Sequence, residues 1–116
     1  MTTAELAATA EMEAAVEAAE ATIKSVYCAD LLSWAMSRAP AGCAWCTVMG
    51  NVNTVAVASL AEVAVVVLCE GAVLDEAAAD KARQQGINIA KTSLPAFEAG
   101  LYIARCCGLH GLNHDI

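Results

Sequence analysis

Residues 42–71 read GCAWCTVMGNVNTVAVASLAEVAVVVLCEG, and the way this stretch divides decides the fold. It opens with an apolar run, 43–49, which ends at the polar turn Gly50-Asn51-Val52-Asn53. A short helix is expected over 54–60, with Asn53 placed to cap it. The stretch then closes on 63–69, which is β-branched and continuous rather than alternating. That is the pattern of a strand covered on both faces. A strand, a helix and a strand joined by short turns predict a parallel crossover unit.

The same grammar continues outward. Glu70-Gly71 reads as a turn, 75–85 as an alanine-rich helix stopped by Gly86, and 87–90 as a short strand. Ser93 is placed to cap a helix over 94–107, with Pro95 in the tolerated first turn, Gly108 as the stop, and Leu94, Phe97 and Leu101 as its apolar stripe. Toward the N-terminus, Pro40-Ala41-Gly42 is a turn, and before it two parsings stand side by side. On propensity, 3–23 could be one long helix, because it is nearly all alanine and glutamate. The alternative is a helix over 4–9, a strand over 12–16, an acidic turn, a strand over 22–27 and a helix over 30–37, with Asp30 capping or charge-stabilising the last. The expected fold class is α/β, a mainly parallel sheet covered by helices, in a single domain over 1–116 with a flexible tail from about 108. Its ligand-facing loops would lie beyond the carboxyl ends of the strands, at 50–53, 70–74 and 91–93.

Composition narrows the function classes. The 116 residues are 59 % hydrophobic yet only 4 % aromatic, so the layers must pack around small side chains. The formal net charge of -7, from 13 acidic and 6 basic residues, opposes binding to nucleic acid or to an anionic membrane. The longest wholly apolar run, 63–69, is far short of the roughly 20 residues that span a bilayer. The N-terminal MTTAELAATAEMEAA has neither a basic start nor an unbroken apolar core, so a cytoplasmic protein with reduced thiols is expected.

Several residues could carry chemistry. Cys43 and Cys46 have a spacing used by zinc and redox sites, but positions three apart on a strand face opposite sides, and packing is the simpler reading. Cys106, Cys107, His110 and His114 add soft ligands near the C-terminus. No residue is assigned to a metal, and whether these thiols and imidazoles bind metal or undergo redox chemistry stays open. Backbone amides after the 50–53 turn could receive an anion, with Asn51, Asn53 and Thr54 adding polar contacts; Thr92 and Ser93 offer a similar opening, and ordinary helix capping is the competing reading. Neither histidine has a nucleophile or carboxylate partner at motif spacing, and Asp75, Glu76 and Asp80 read as the acidic first turns of a solvated helix. No catalytic residue is expected.

Three strings carry a resemblance: VYCADLLSWAM (26–36), TVMGNVNTVAVASLAEVAVVVLCEG (47–71) and GINIAKTSLPAFEAGLYI (86–103). In them the chain resembles the small stand-alone DRTGG-domain proteins, which are related to the N-terminal domain of HPr kinase/phosphorylase. The name-giving signature would fall just before Val26, where this chain reads Glu20-Ala21-Thr22-Ile23-Lys24-Ser25. The resemblance implies an HPr kinase N-terminal-domain-like fold and favours the split parsing of the first half. It also implies a non-catalytic regulatory or accessory module, a homo-oligomer such as a homodimer, with a small ligand or nucleotide as the expected ligand. The alternative it implies is a metal- or redox-linked accessory protein of an iron-only hydrogenase system or other anaerobic redox metabolism. Kinase activity is not expected, because the chain lacks G-x-x-x-x-G-K-[ST]. Trp34 or Trp45 is expected to contribute to an apolar contact between copies.

Overall fold

A computed structural model describes residues 1–109. The elements, in chain order, are α1 (Thr3–Ala7), β1 (Glu13–Val16), β2 (Ser25–Cys28), α2 (Leu32–Arg38), β3 (Cys43–Thr47), α3 (Val52–Ala61), β4 (Val65–Leu68), α4 (Glu76–Gln85), β5 (Ile89–Lys91) and α5 (Ala96–Cys107). The sheet runs β1-β5-β4-β3-β2. Strands β2 to β5 are parallel neighbours in succession, and β1 joins β5 antiparallel at the far edge. The fold is therefore α/β with a mostly parallel sheet, and the first half takes the split parsing. A single helix over 3–23 would have carried glutamate on every side with no face to bury. Divided, the same residues bury Leu6, Met12, Val16 and Ile23. Among the described residues, no helix is long and apolar enough to cross a membrane.

The period-2 alternation of each central strand divides the core into two layers. Cys43 and Trp45 of β3, Val66 and Leu68 of β4, and Ile89 of β5 pack under α2, α3 and α4. Ala44 and Cys46, Val65 and Val67, and Ala90 face the other way, against α1 and α5. Both layers are rich in alanine and valine, which lets the helices sit close to the sheet. Gly100 marks the closest approach of α5: a Cβ there would lie 3.2 Å from Cys28 Sγ and 3.4 Å from Val26 Cγ1.

That close approach overturns the expected apolar stripe of α5. Its buried residues are Ala99, Gly100 and Ile103, whereas Phe97 is 75 % exposed and Leu101 40 %. Where α5 comes closest to the sheet only Ala99 and Gly100 fit, Ile103 fills the space one turn on, and Phe97 and Leu101 turn outward. The helix starts are also corrected. Asn51, not Asn53, caps α3, its Oδ1 accepting from Thr54 N at 3.0 Å. Asn53 sits exposed in the first turn. Ser93 does not cap α5, whose N-cap is Pro95 without a side-chain bond. Asp30 does not cap α2; its Oδ1 instead accepts from Thr47 Oγ1 at 2.7 Å and Val48 N at 3.0 Å, which ends β3 two residues before the expected limit. Gly86 and Gly108 do stop α4 and α5, at φ 72° and 70°, the left-handed conformation that glycine adopts without steric cost.

One buried polar side chain ties the N-terminal arm to the sheet. Asn88 Oδ1 accepts from Ala18 N at 2.7 Å, while Nδ2 donates to Ala19 O at 2.9 Å and Ala64 O at 3.2 Å. The loop between β1 and β2 is thereby fixed over the amino end of β4. The tail expected to be flexible lies mostly beyond residue 109, outside the described residues.

Candidate functional site

The carboxyl ends of the parallel strands carry three loops, and they differ in what they leave open. At the β3–α3 turn the polar groups are already engaged. Asn51 Oδ1 takes both the amide of Thr54 and its hydroxyl, at 3.0 and 3.3 Å. Gly50 packs so tightly on the chain after β4 that a Cβ would fall 2.2 Å from Val73 O, and its carbonyl accepts from Asp75 N at 2.8 Å. Thr54 itself is buried. Three of the residues nominated for an anion, Asn51, Asn53 and Thr54, therefore share one helix start, two of them joined in its cap and Asn53 facing solvent.

The β5–α5 loop is different. Lys91, Thr92 and Ser93 border an open cleft of about 340 Å³, closed on its other sides by Gly71 and by Ala10, Glu11, Met12 and Glu13. Thr92 is buried and frames the cleft: its amide donates to Leu68 O, its carbonyl accepts from Gly71 N, and its hydroxyl accepts from Leu94 N at 3.1 Å. Glu70, in the left-handed region at φ 60°, donates its amide to Leu94 O and so fixes the opposite lip. Ser93 is exposed, and Lys91 is half-buried and lines the same cleft as Glu11 and Glu13. The cleft therefore offers one ammonium group, one free-standing hydroxyl position and two carboxylates. The sequence had pointed to Thr92 and Ser93 but not to Glu11 and Glu13, which the antiparallel pairing of Glu13 with Lys91 brings across.

The cysteines regroup. Cys43 and Cys46 are divided by the sheet, one in each layer, and do not form a site together. Burial pushes the Cys43 thiol up to about 11. Cys46 instead meets two cysteines that no motif joins to it: Cys28 is its in-register partner on β2, and Cys69 follows β4 on the same face. Cys46 therefore sits beside both, on the same face of the sheet. A bond from Cys46 lowers Cys28 to about 7, against burial and the nearby Asp30 carboxylate, which both raise it. The Cys69 thiol is lowered by Cys46 as well, and Cys46 is raised by its bonds to Cys28 and Cys69 and by burial. A thiol carries one proton, so Cys46 can serve one neighbour at a time. Cys28 is exposed, and water also solvates its thiolate, so it is the one that ionises first.

Cys106 and Cys107 end α5, roughly 15 Å along the helix from the turn beside Cys28. His110 and His114 lie outside the described residues. Among the described residues, no three Cys, His, Asp or Glu side chains converge tightly enough to hold a metal ion.

A last feature is the β2 edge of the sheet. Leu31, Trp34 and Met36 on and before α2 are each at least half exposed, and Phe97 and Leu101 stand out from α5, the helix that packs over β2 and β3. Trp34 carries Arg38 over its ring at 4.0 Å. Trp45, by contrast, is fully buried with its Nε1 donating to Ala29 O at 2.9 Å, so it contributes nothing to a surface contact. No family model matches the chain, and no curated protein matches it.

Proposed function

We propose that this chain is a non-catalytic regulatory or accessory module of the DRTGG type, and that the cleft between Gly71, Lys91–Ser93 and Glu11–Glu13 receives its small ligand. The observation that carries this reading is the cleft itself. It is the open space at the carboxyl ends of β4 and β5, where parallel sheets of this kind place their ligands. Its lining of one ammonium, two carboxylates and a hydroxyl suits a small ligand bearing both an anionic and a cationic or hydrogen-bond-donating group. A nucleotide monophosphate fits that description better than a triphosphate, since a single lysine faces two carboxylates. The apolar side chains exposed on α2 and α5 support association of two copies, as the resemblance to DRTGG proteins implies.

Thermal unfolding with AMP, ADP, ATP and inorganic phosphate tests the reading. A ligand present at 100 times its Kd adds about 2.7 kcal/mol, and about 1 kcal/mol moves Tm by roughly 4 °C or more in a domain of this size. The expected result is a rise of about 10 °C with one member of the set, abolished in Lys91→Ala. An unchanged Tm with all four, or a rise that survives Lys91→Ala, would remove the cleft from the account.

The row of thiols favours a second reading, a redox-linked accessory protein. It rests on a different part of the molecule and is developed next.

A further inference from the structure

We propose that Cys28 and Cys46 form a thiol–disulfide exchange site, in which Cys28 is the attacking thiol, Cys46 the resolving thiol, and a low-molecular-weight disulfide the substrate. The inference goes beyond the ligand cleft and does not depend on it.

Register is the first argument. Cys28 and Cys46 are direct partners on adjacent parallel strands, so their Cα atoms stand about one strand spacing apart, about 4.8 Å. That lies inside the 4.4–6.8 Å window that a disulfide spans. Cys69 fails the same test. Cys46 is opposite Val67, and Cys69 is two residues further on, so the diagonal is about 8 Å. Cys43 is on the other face. Of the cysteines around Cys46, only Cys28 can close a bond without moving the backbone.

Asymmetry of exposure is the second argument. Cys28 ends an edge strand and is exposed, whereas Cys46 is fully buried beside it. A reagent from solution therefore meets Cys28 first, and Cys46 can be reached only from Cys28. The Cys28 sulfur is held against the first turns of α5, 3.7 Å from Ala96 O, and the missing side chain of Gly100 leaves room for it. Those contacts hold the sulfur on the α5 face of the sheet, the face that carries Cys46.

The steps balance. The Cys28 thiolate attacks one sulfur of the small disulfide, its S–S bond breaks, and one thiolate leaves, giving a mixed disulfide on Cys28. Cys46 then loses its proton to solvent or to the departing thiolate, and its sulfur attacks Cys28. The second small thiolate leaves as the Cys28–Cys46 bond forms. Two protein thiols are oxidised, and one small disulfide is reduced to two thiols. A small dithiol reverses the sequence.

The test uses the full-length protein, reduced and then incubated without oxygen with oxidised glutathione. The expected wild-type product has lost two hydrogens. Trypsin leaves Cys28 alone in residues 25–38 and Cys43, Cys46 and Cys69 together in 39–81, so the two peptides should appear joined. The joined species should persist in Cys43→Ala and Cys69→Ala and vanish in Cys46→Ala, which should stop at a glutathione adduct on Cys28. If Cys46→Ala does not fold, fragmentation of the wild-type joined peptide locates the second sulfur. A stable Cys28 adduct in the wild type, a cross-link assigned to Cys43 or Cys69, or reaction confined to Cys106 and Cys107 would overturn the proposal.

Discussion

Replacing Asn88 gives the sharpest test of how the N-terminal arm is held. The side chain makes three hydrogen bonds, and the one to Ala64 O is buried while those to Ala18 N and Ala19 O are half-covered. In Asn88→Ala, the two half-covered groups regain water and cost about 0.5–1 kcal/mol each. The Ala64 carbonyl loses a buried donor and costs about 1–2 kcal/mol. The total is about 3 kcal/mol, a fall in Tm of roughly 12 °C or more. Asn88→Asp separates geometry from chemistry. It keeps the acceptor for Ala18 N but sets a carboxylate oxygen against the carbonyls of Ala19 and Ala64. Those carbonyls favour the protonated acid, so the folded-state pKa of the new group rises above its unfolded value. The stability it retains is therefore present at acidic pH and lost as pH rises through that folded value. Urea unfolding at pH 4 and pH 7 reads both effects. A loss below about 1 kcal/mol for the alanine variant, or an aspartate variant more stable at pH 7 than at pH 4, would refute this account of the arm.

Other perturbations have equally specific consequences. Alkylation of Cys28, read as modification of residues 25–38, should follow its thiolate and reach half-maximal rate near pH 7, because the Cys46 bond outweighs the burial and the Asp30 charge that oppose it. In Cys46→Ala the midpoint should rise to about 8.5 or above. The same depressed value means that the Cys28 contribution to stability is present at alkaline pH and fades as pH falls through about 7. Gly86→Ala should lower stability by about 1 kcal/mol in urea unfolding, wholly from the left-handed φ of 72°, since a Cβ there meets nothing within 4 Å. Asn51→Ala should cost about 1 kcal/mol by removing the α3 cap, and Asn53→Ala, at an exposed first-turn position, close to nothing.

The alternation of strand and helix after Pro40 was legible because each element there is local. The runs at 43–49 and 63–69 are continuous and β-branched, and glycine stands where α4 and α5 stop. The helix starts were less legible. Asn51 and Asn53 are both good caps by type, and what selects Asn51 is the packing of Gly50 on the Val73 carbonyl, a contact between residues far apart in the chain. The face of α5 was misread for a similar reason. Phe97 and Leu101 look like a core stripe until the sheet beneath is known to lie close enough to require Ala99 and Gly100.

The thiol row was hidden by its spacing. Cys28, Cys46 and Cys69 have no common motif, and only the register of three strands aligns them, while C-x-x-C drew attention to a pair that the sheet divides. One signal was available: each of the three falls at or near the carboxyl end of a strand in the parallel set. The cleft was half legible for the same reason. Thr92 and Ser93 follow from the rule on strand ends, whereas Glu13 arrives through the antiparallel pairing of β1 with β5, and Glu11 just ahead of it.

The most direct test of the central claim is an amide chemical-shift map of the uniformly labelled protein titrated with AMP. The account predicts perturbations concentrated at Gly71, Lys91 to Leu94 and Glu11 to Glu13, saturating together with one Kd. Shifts centred on the Asn51–Thr54 helix start, or on the amino-end hollow of about 200 Å³ beside Thr3, Glu17 and Asn88, would place the ligand elsewhere and contradict it.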